Sequence, residues 1–335
     1  MKAGIIGLDG SGRETIFSAL TGLGPGTGEF RPGEALAPDE RLDYLSGLFK
    51  PKKHTPARLE LVLVKPVGKT PAESLKVALE KSREMDVLIA VARAFPDALG
   101  EAPTPEKETA TLESELLLYD YLTVEKRLER LGEEKKRGKK NDPEELDLLT
   151  AAHQLLEANQ PLRLNPPIAG HPKLRGFGFL SAKPLLTLLN SPDDYKENQP
   201  ATPDQLYFRG RLEAELGQLT PAEAQEFMAD YGLLELGQAR VIRKIHQMME
   251  LISFFTVGED ECRAWLLRRG QDALSAAGEI HSDIQKGFIR AEVVAFEDFK
   301  ATGGFNEAKK KGVFRLEGKT YLIQDGDIVH FRFNV

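Results

Sequence analysis

Apolar positions along this chain change their period twice. Over residues 1–108, short continuous apolar runs at 3–6, 59–64 and 86–92 alternate with segments of helical period. Unbroken runs of that length suit strands buried on both faces. The first run breaks at Gly7, and the chain passes Asp9, Gly10, Ser11 and Gly12 before a helical pattern begins with Ile16, Phe17, Ala19 and Leu20. A Gly- and Pro-rich stretch at 22–38 reads as an exposed loop, and 71–85 reads as a helix carrying Leu75, Val77, Ala78 and Leu79. Strands alternating with helices imply a parallel sheet with both faces covered.

Near residue 109 the period lengthens. Leu117, Tyr121, Val124, Leu128 and Leu131 are spaced 4-3-4-3, a heptad seam, and Leu149, Ala152 and Leu156 carry a second helix. The two helices predict an antiparallel hairpin over 109–161, inserted into the α/β unit. Its turn concentrates Lys135, Lys136, Arg137, Lys139 and Lys140. The α/β pattern resumes after Pro161, with a strand at 185–190 that ends on Asn190 and helices at 213–232 and 233–251. From 252 onward short strands dominate (264–267, 291–296, 312–318, 321–324 and 328–333), with one helix between them. The expected domains are therefore 1–108 with 162–251, the hairpin 109–161, and a separate α+β domain at 252–335.

Composition narrows the function classes. A formal charge of −7 argues against a blanket electrostatic grip on nucleic acid, so DNA is not expected and any RNA contact must use local basic patches. A lone cysteine, Cys262, excludes an internal disulfide framework and lies within a strand pattern, as a buried structural thiol would. The N-terminal apolar run is too short for a secretion signal, and no stretch approaches the roughly 18 apolar residues of a membrane span. A cytoplasmic protein is expected.

Several segments then match a known family. These are 123–131 (Thr-Val-Glu-Lys-Arg-Leu-Glu-Arg-Leu), 212–216, 251–258, 278–293 and, above all, 316–335. On these the chain resembles the YchF/Obg-like ATPase family, most closely from about 212 onward and least from 22 to 110. The resemblance implies an α/β fold: a Ras-like P-loop G domain, the inserted helical hairpin, and a C-terminal β-grasp (ubiquitin-like) TGS domain. It also implies binding and hydrolysis of ATP or GTP, and association with ribosomes, RNA or a translation protein.

The residues that would carry this chemistry depart from the pattern. Gly7 to Gly12 keep the spacing of a phosphate loop, but the lysine position holds Arg13 and the magnesium-binding hydroxyl position holds Glu14. Asp9, Gly10, Ser11, Gly12, Arg13, Glu14 and Thr15 form the candidate cradle, whose backbone amides can still meet a phosphate. The alternative is a retained turn with no ligand. The Asp-x-x-Gly element expected after the strand at 59–64 is absent. The chain runs through Lys65 and Pro66, which has no amide proton, to Gly68, the one candidate relic. Asn190 and Asp193 stand where the family's Asn-x-x-Glu reads the base, although a strand-end asparagine is also a common turn residue.

The five hairpin cations could grip an RNA backbone, or form a solvated turn. Arg268, Arg269, Lys286 and Arg290 are further contact candidates in the C-terminal domain, among aromatics expected to be core. His281 and Asp283 lack a third ligand, so no metal site is assigned, and no catalytic residue is assigned either. The expectation is a monomeric binding module that takes ATP or GTP weakly or not at all, with magnesium left open. The alternative is a slow ATPase or GTPase using Arg13 and Glu14 in altered roles.

Overall fold

The computed structural model describes residues 1–24, 26, 30–65, 71–97, 99–195 and 202–334. Pro66 and Gly68, singled out above, lie outside the described residues. The chain divides into two compact units, 1–35 with 60–241 and 36–59 with 242–335.

The first unit is built on a six-stranded sheet in the order β2-β4-β1-β5-β6-β7. Its strands are β1 (Lys2–Gly7), β2 (Phe30–Ala37), β4 (Ala57–Val64), β5 (Val87–Arg93), β6 (Leu185–Asn190) and β7 (Gln205–Phe208). From β4 through β7 the neighbours pair in parallel. This explains why the central strands read as unbroken apolar runs: every residue of β6 is buried, and β1 buries Ala3 to Ile6. Helices α1 (Arg13–Thr21), α3 (Pro71–Ser82), α4 (Pro105–Lys136), α5 (Pro143–Glu157), α6 (Pro166–Ala169), α7 (Gly210–Leu216) and α8 (Pro221–Asp230) surround or extend it, and α9 (Gly237–Met248) starts in this unit and continues into the second. The stretch 22–38, read as a loop, contributes β2 at its end instead. The helix expected over 213–232 is broken at Gly217, and Thr220 starts α8 with a reciprocal cap to Glu223.

The helix α4 serves two cores. Its first half packs Leu112 and Leu116 against Ile6, Val62, Val64 and Leu88 of the sheet. Its second half buries Leu117, Val124 and Leu131 against Leu149, Ala152 and Leu156 of α5, with Tyr121 and Leu128 partly buried alongside. These are the heptad positions read from the sequence.

The second unit carries a six-stranded sheet in the order β11-β10-β12-β8-β9-β3. Its strands are β3 (Lys53–Thr55), β8 (Leu251–Val257), β9 (Glu261–Arg268), β10 (Phe288–Ala295), β11 (Arg315–Glu317) and β12 (Asp327–Phe333). Short helices α10 (Ala273–Ile280), α11 (Ser282–Lys286), α12 (Phe296–Thr302) and α13 (Phe305–Lys310) connect them, where the sequence reading had one helix. Residues 36–59, assigned by that reading to the first α/β segment, belong here: α2 (Glu40–Phe49) stacks Phe49 on Phe299, and β3 pairs Lys53 with Glu261. The expected strand at 321–324 is irregular, with a single bridge from Leu322 to Asp272. Asp327 holds it there by accepting from the Gln324 amide and the Tyr321 hydroxyl, both within 2.9 Å.

Candidate functional site

The cradle lies between β1 and α1. Gly10 and Gly12 adopt φ of 81° and 83°, the left-handed region that glycine enters without strain. At Gly12 a side chain is also excluded sterically, because its Cβ would run into the Asn190 amide. The Ser11 amide donates to the Leu8 carbonyl at 3.2 Å and closes the loop. The helix cap, Gly12, offers no side-chain acceptor, which leaves the first-turn amides as the open donors with which a helix begins.

The two altered positions are both engaged within the protein. Arg13 folds back across the loop, donating through Nη1 to the Gly7 carbonyl and through Nη2 to Asp9 Oδ1 at 3.0 Å. Glu14 meets Lys65, whose Nζ lies 3.1 Å from its Oε1 and also donates to the Gly26 carbonyl at 2.9 Å. Lys65 follows directly on the last residue of β4, the strand beside β1. In a P-loop NTPase this is the place of the carboxylate that holds magnesium, together with a hydroxyl at the position of Glu14. Among the described residues a carboxylate and a cation stand at these places, a pair that does not match the hydroxyl and carboxylate of such a metal site. Thr15 is half-buried in the first turn of α1.

Asn190 is buried and linked on both sides. Its Nδ2 donates to the Ser11 carbonyl at 3.0 Å, and its Oδ1 accepts from the Gly210 amide at 3.2 Å. It therefore clamps the cradle to the start of α7. Asp193 accepts from the Leu212 amide at 3.2 Å, so its carboxylate serves the first turn of α7. Each of these groups keeps some hydrogen-bonding capacity beyond the bonds it makes.

Two buried carboxyls of the first unit were not among the candidates read from the sequence. Glu213 on α7 accepts from the Gly237 amide, and burial pushes its carboxyl up to about 7 despite that bond and the nearby Arg240. Asp120 on α4 accepts from the Leu180 and Ser181 amides and the Ser181 hydroxyl at 2.6–2.9 Å. Burial raises it to about 6, with those bonds opposing. A cavity of about 570 Å³ beyond β7 is lined by Tyr195, Tyr207, Arg209, Tyr231 and Leu233, with the first two rings stacked at 4.6 Å. A polar residue at a helical position reads as surface unless its partner, far along the chain, is known.

The hairpin tip gathers Lys135, Lys136, Arg137, Lys139 and Lys140, all exposed. Among the described residues only Arg137 of these five forms an ion pair, with Glu133 at 3.5 Å. The C-terminal candidates are not gathered: Arg268 ends β9 and Arg290 lies on β10, with β12 and β8 between those strands. Arg269 follows β9, and Lys286 ends α11 within 3.9 Å of Asp283. His281 caps α11 by accepting from the Asp283 amide. Trp265 packs in the core of that unit and is covered by Arg263 at 3.9 Å.

Known proteins share this architecture. A family model, YchF-GTPase_C, described as a protein of unknown function (DUF933), matches residues 251–334. "Ribosome-binding ATPase YchF" of Bacillus subtilis (strain 168) is 34% identical, with all of both chains covered. "Obg-like ATPase 1" of Oryza sativa subsp. japonica is 33% identical over 100% of this chain and 92% of that protein. The solved YchF GTPase of Schizosaccharomyces pombe superposes with a TM-score of 0.83 at 27% identity, over 99% of this chain and 97% of that one. With an α/β P-loop fold and 34% identity to a relative across its whole length, the chain belongs to the YchF family.

Proposed function

We propose that this YchF-family protein acts as a ribosome-associated binding module of the cytoplasm whose nucleotide site is degenerate. Its cradle takes ATP or GTP weakly and does not hydrolyse it. Arg13 carries this reading: at the position of the phosphate-binding lysine, its guanidinium is tied to the Gly7 carbonyl and to Asp9. A triphosphate entering the loop must compete with those bonds, and a planar fork does not reproduce the point charge of a lysine. Association with the ribosome is supported by the relatives that carry that function in their names. The exposed cations of the hairpin tip supply the matching chemistry toward an RNA backbone. The C-terminal unit, read as a TGS-type domain, is a second contact surface.

The test is calorimetry with ATP and with GTP, beside a turnover assay, on the unaltered chain and on Arg13→Lys/Glu14→Ser. The expected result is an affinity no tighter than about 100 μM for the unaltered chain, weaker than about −5.5 kcal/mol. No turnover is expected, and the variant should bind at least about tenfold more tightly. Low-micromolar binding or steady turnover by the unaltered chain contradicts the reading.

A further inference from the structure

We propose that the Glu14–Lys65 ion pair takes the place of the magnesium ion, so that the cradle meets a polyphosphate without a divalent cation. The inference rests on the reading of the cradle as a remnant nucleotide site. A P-loop magnesium is held between a hydroxyl at the head of the helix and a carboxylate after the neighbouring strand. The residues here are complementary in charge: Glu14 stands at the place of the hydroxyl, and Lys65 is the first residue past the strand beside β1. Either charge alone is adverse. An unpaired Glu14 would face the phosphates, and an unpaired Lys65 would leave a charge at the edge of the sheet. Together they close at 3.1 Å.

Lys65 is held in that place. Its side chain is 17% exposed, against 47% for Glu14, and the Gly26 carbonyl takes a second of its three hydrogens. Among the described residues its third N–H meets no partner and is open to a phosphate oxygen. A divalent cation entering here would displace an anchored ammonium or sit beside it as a like charge. Among the described residues Glu14 would be a single protein ligand there, already neutralised. The Lys65 ammonium, largely offset by Glu14, thus stands where the metal's charge would be.

The experiment compares ATP affinity in EDTA and in magnesium for the full chain, for Glu14→Gln and for Glu14→Ser/Lys65→Asp, each checked for folding by thermal melting. The unaltered chain is expected to bind ATP in EDTA at least as tightly as in magnesium. Glu14→Gln, which releases the Lys65 charge, should tighten binding in EDTA by about threefold to tenfold. The double variant should acquire a preference for magnesium of about tenfold or more. Tighter binding by the unaltered chain in magnesium overturns this inference and leaves the weak-site reading standing. No binding in either condition overturns the nucleotide reading beneath it, and the inference with it. A double variant that gains no magnesium preference also overturns it, since the pair would then not be what excludes the metal.

Discussion

The cradle and the hairpin tip are two cation-bearing regions of the first unit, and they treat charge in opposite ways. In the cradle each cation has an acid within reach: Arg13 is 3.0 Å from Asp9, and Lys65 is 3.1 Å from Glu14. At the tip five cations are exposed and only Arg137 is ion-paired among the described residues. The cradle thus offers an incoming anion little unspent charge, whereas the tip offers nearly all of its own. The formal −7 of the whole chain does not cancel this, because charges more than about 8–10 Å away are screened at physiological salt. Counting basic residues would rank these regions alike. The position of their acidic partners separates them.

The largest effect is expected at the tip. Replacing Lys135, Lys136, Lys139 and Lys140 with Gln should weaken ribosome association by up to about a thousandfold near 0.1 M salt, if each meets one phosphate. The slope of log affinity against log salt should fall by about three, and the melting temperature should hold, because these side chains make no ion pair among the described residues. Next comes the frame of the cradle. Burial lifts the Glu213 carboxyl from 4.5 to about 7, so the fold favours its protonated form. The stability this contributes is fully present below pH 4.5 and is lost as pH rises through 7. Denaturant melts of Glu213→Gln against the parent should therefore diverge over that window by on the order of 3 kcal/mol. A constant difference across the window would show that Glu213 has the same proton affinity folded and unfolded.

Smaller effects follow. Asn190→Ala removes both links of the clamp, leaving the Ser11 carbonyl and the Gly210 amide without it. A loss of about 2 kcal/mol in chemical denaturation is expected, with ribosome association unchanged. The smallest is the Glu14–Lys65 coupling. With Glu14 nearly half exposed, a double-mutant cycle of Glu14→Gln and Lys65→Met should give less than about 1 kcal/mol, falling further in salt. A coupling of several kcal/mol would make the pair a structural strut and blur the distinction between cradle and tip.

Local pattern carried much of the architecture. The 4-3-4-3 spacing located the seam of α4, and the buried runs located β1, β4, β5 and β6, because a strand covered on both faces must be apolar throughout. Pairings between distant segments were not legible. Residues 53–55 join the second sheet by pairing with 261–263, and nothing in the short polar strand Lys-His-Thr announces that partner. The segment 321–324 carries a short apolar run like that of a strand, but it is held out of a ladder by a carboxylate, Asp327, buried just beyond it. At the cradle, the loss of the aspartate after β4 was visible as an absence. That Lys65 answers Glu14 required the fold, since 51 positions separate them. Asn190 was singled out by resemblance to the family's Asn-x-x-Glu, and its geometry adds a tie to Ser11 and Gly210 that the sequence did not show.

The most direct test of this contrast is ribosome co-sedimentation over a salt series. It should compare the unaltered chain, the Gln-substituted tip and the cradle variant Arg13→Lys/Glu14→Ser, each with and without ATP. The account predicts that the tip variant alone loses association and salt dependence, while the cradle variant and the nucleotide leave both unchanged. Full association by the tip variant, or association that follows the cradle and its nucleotide, would contradict it.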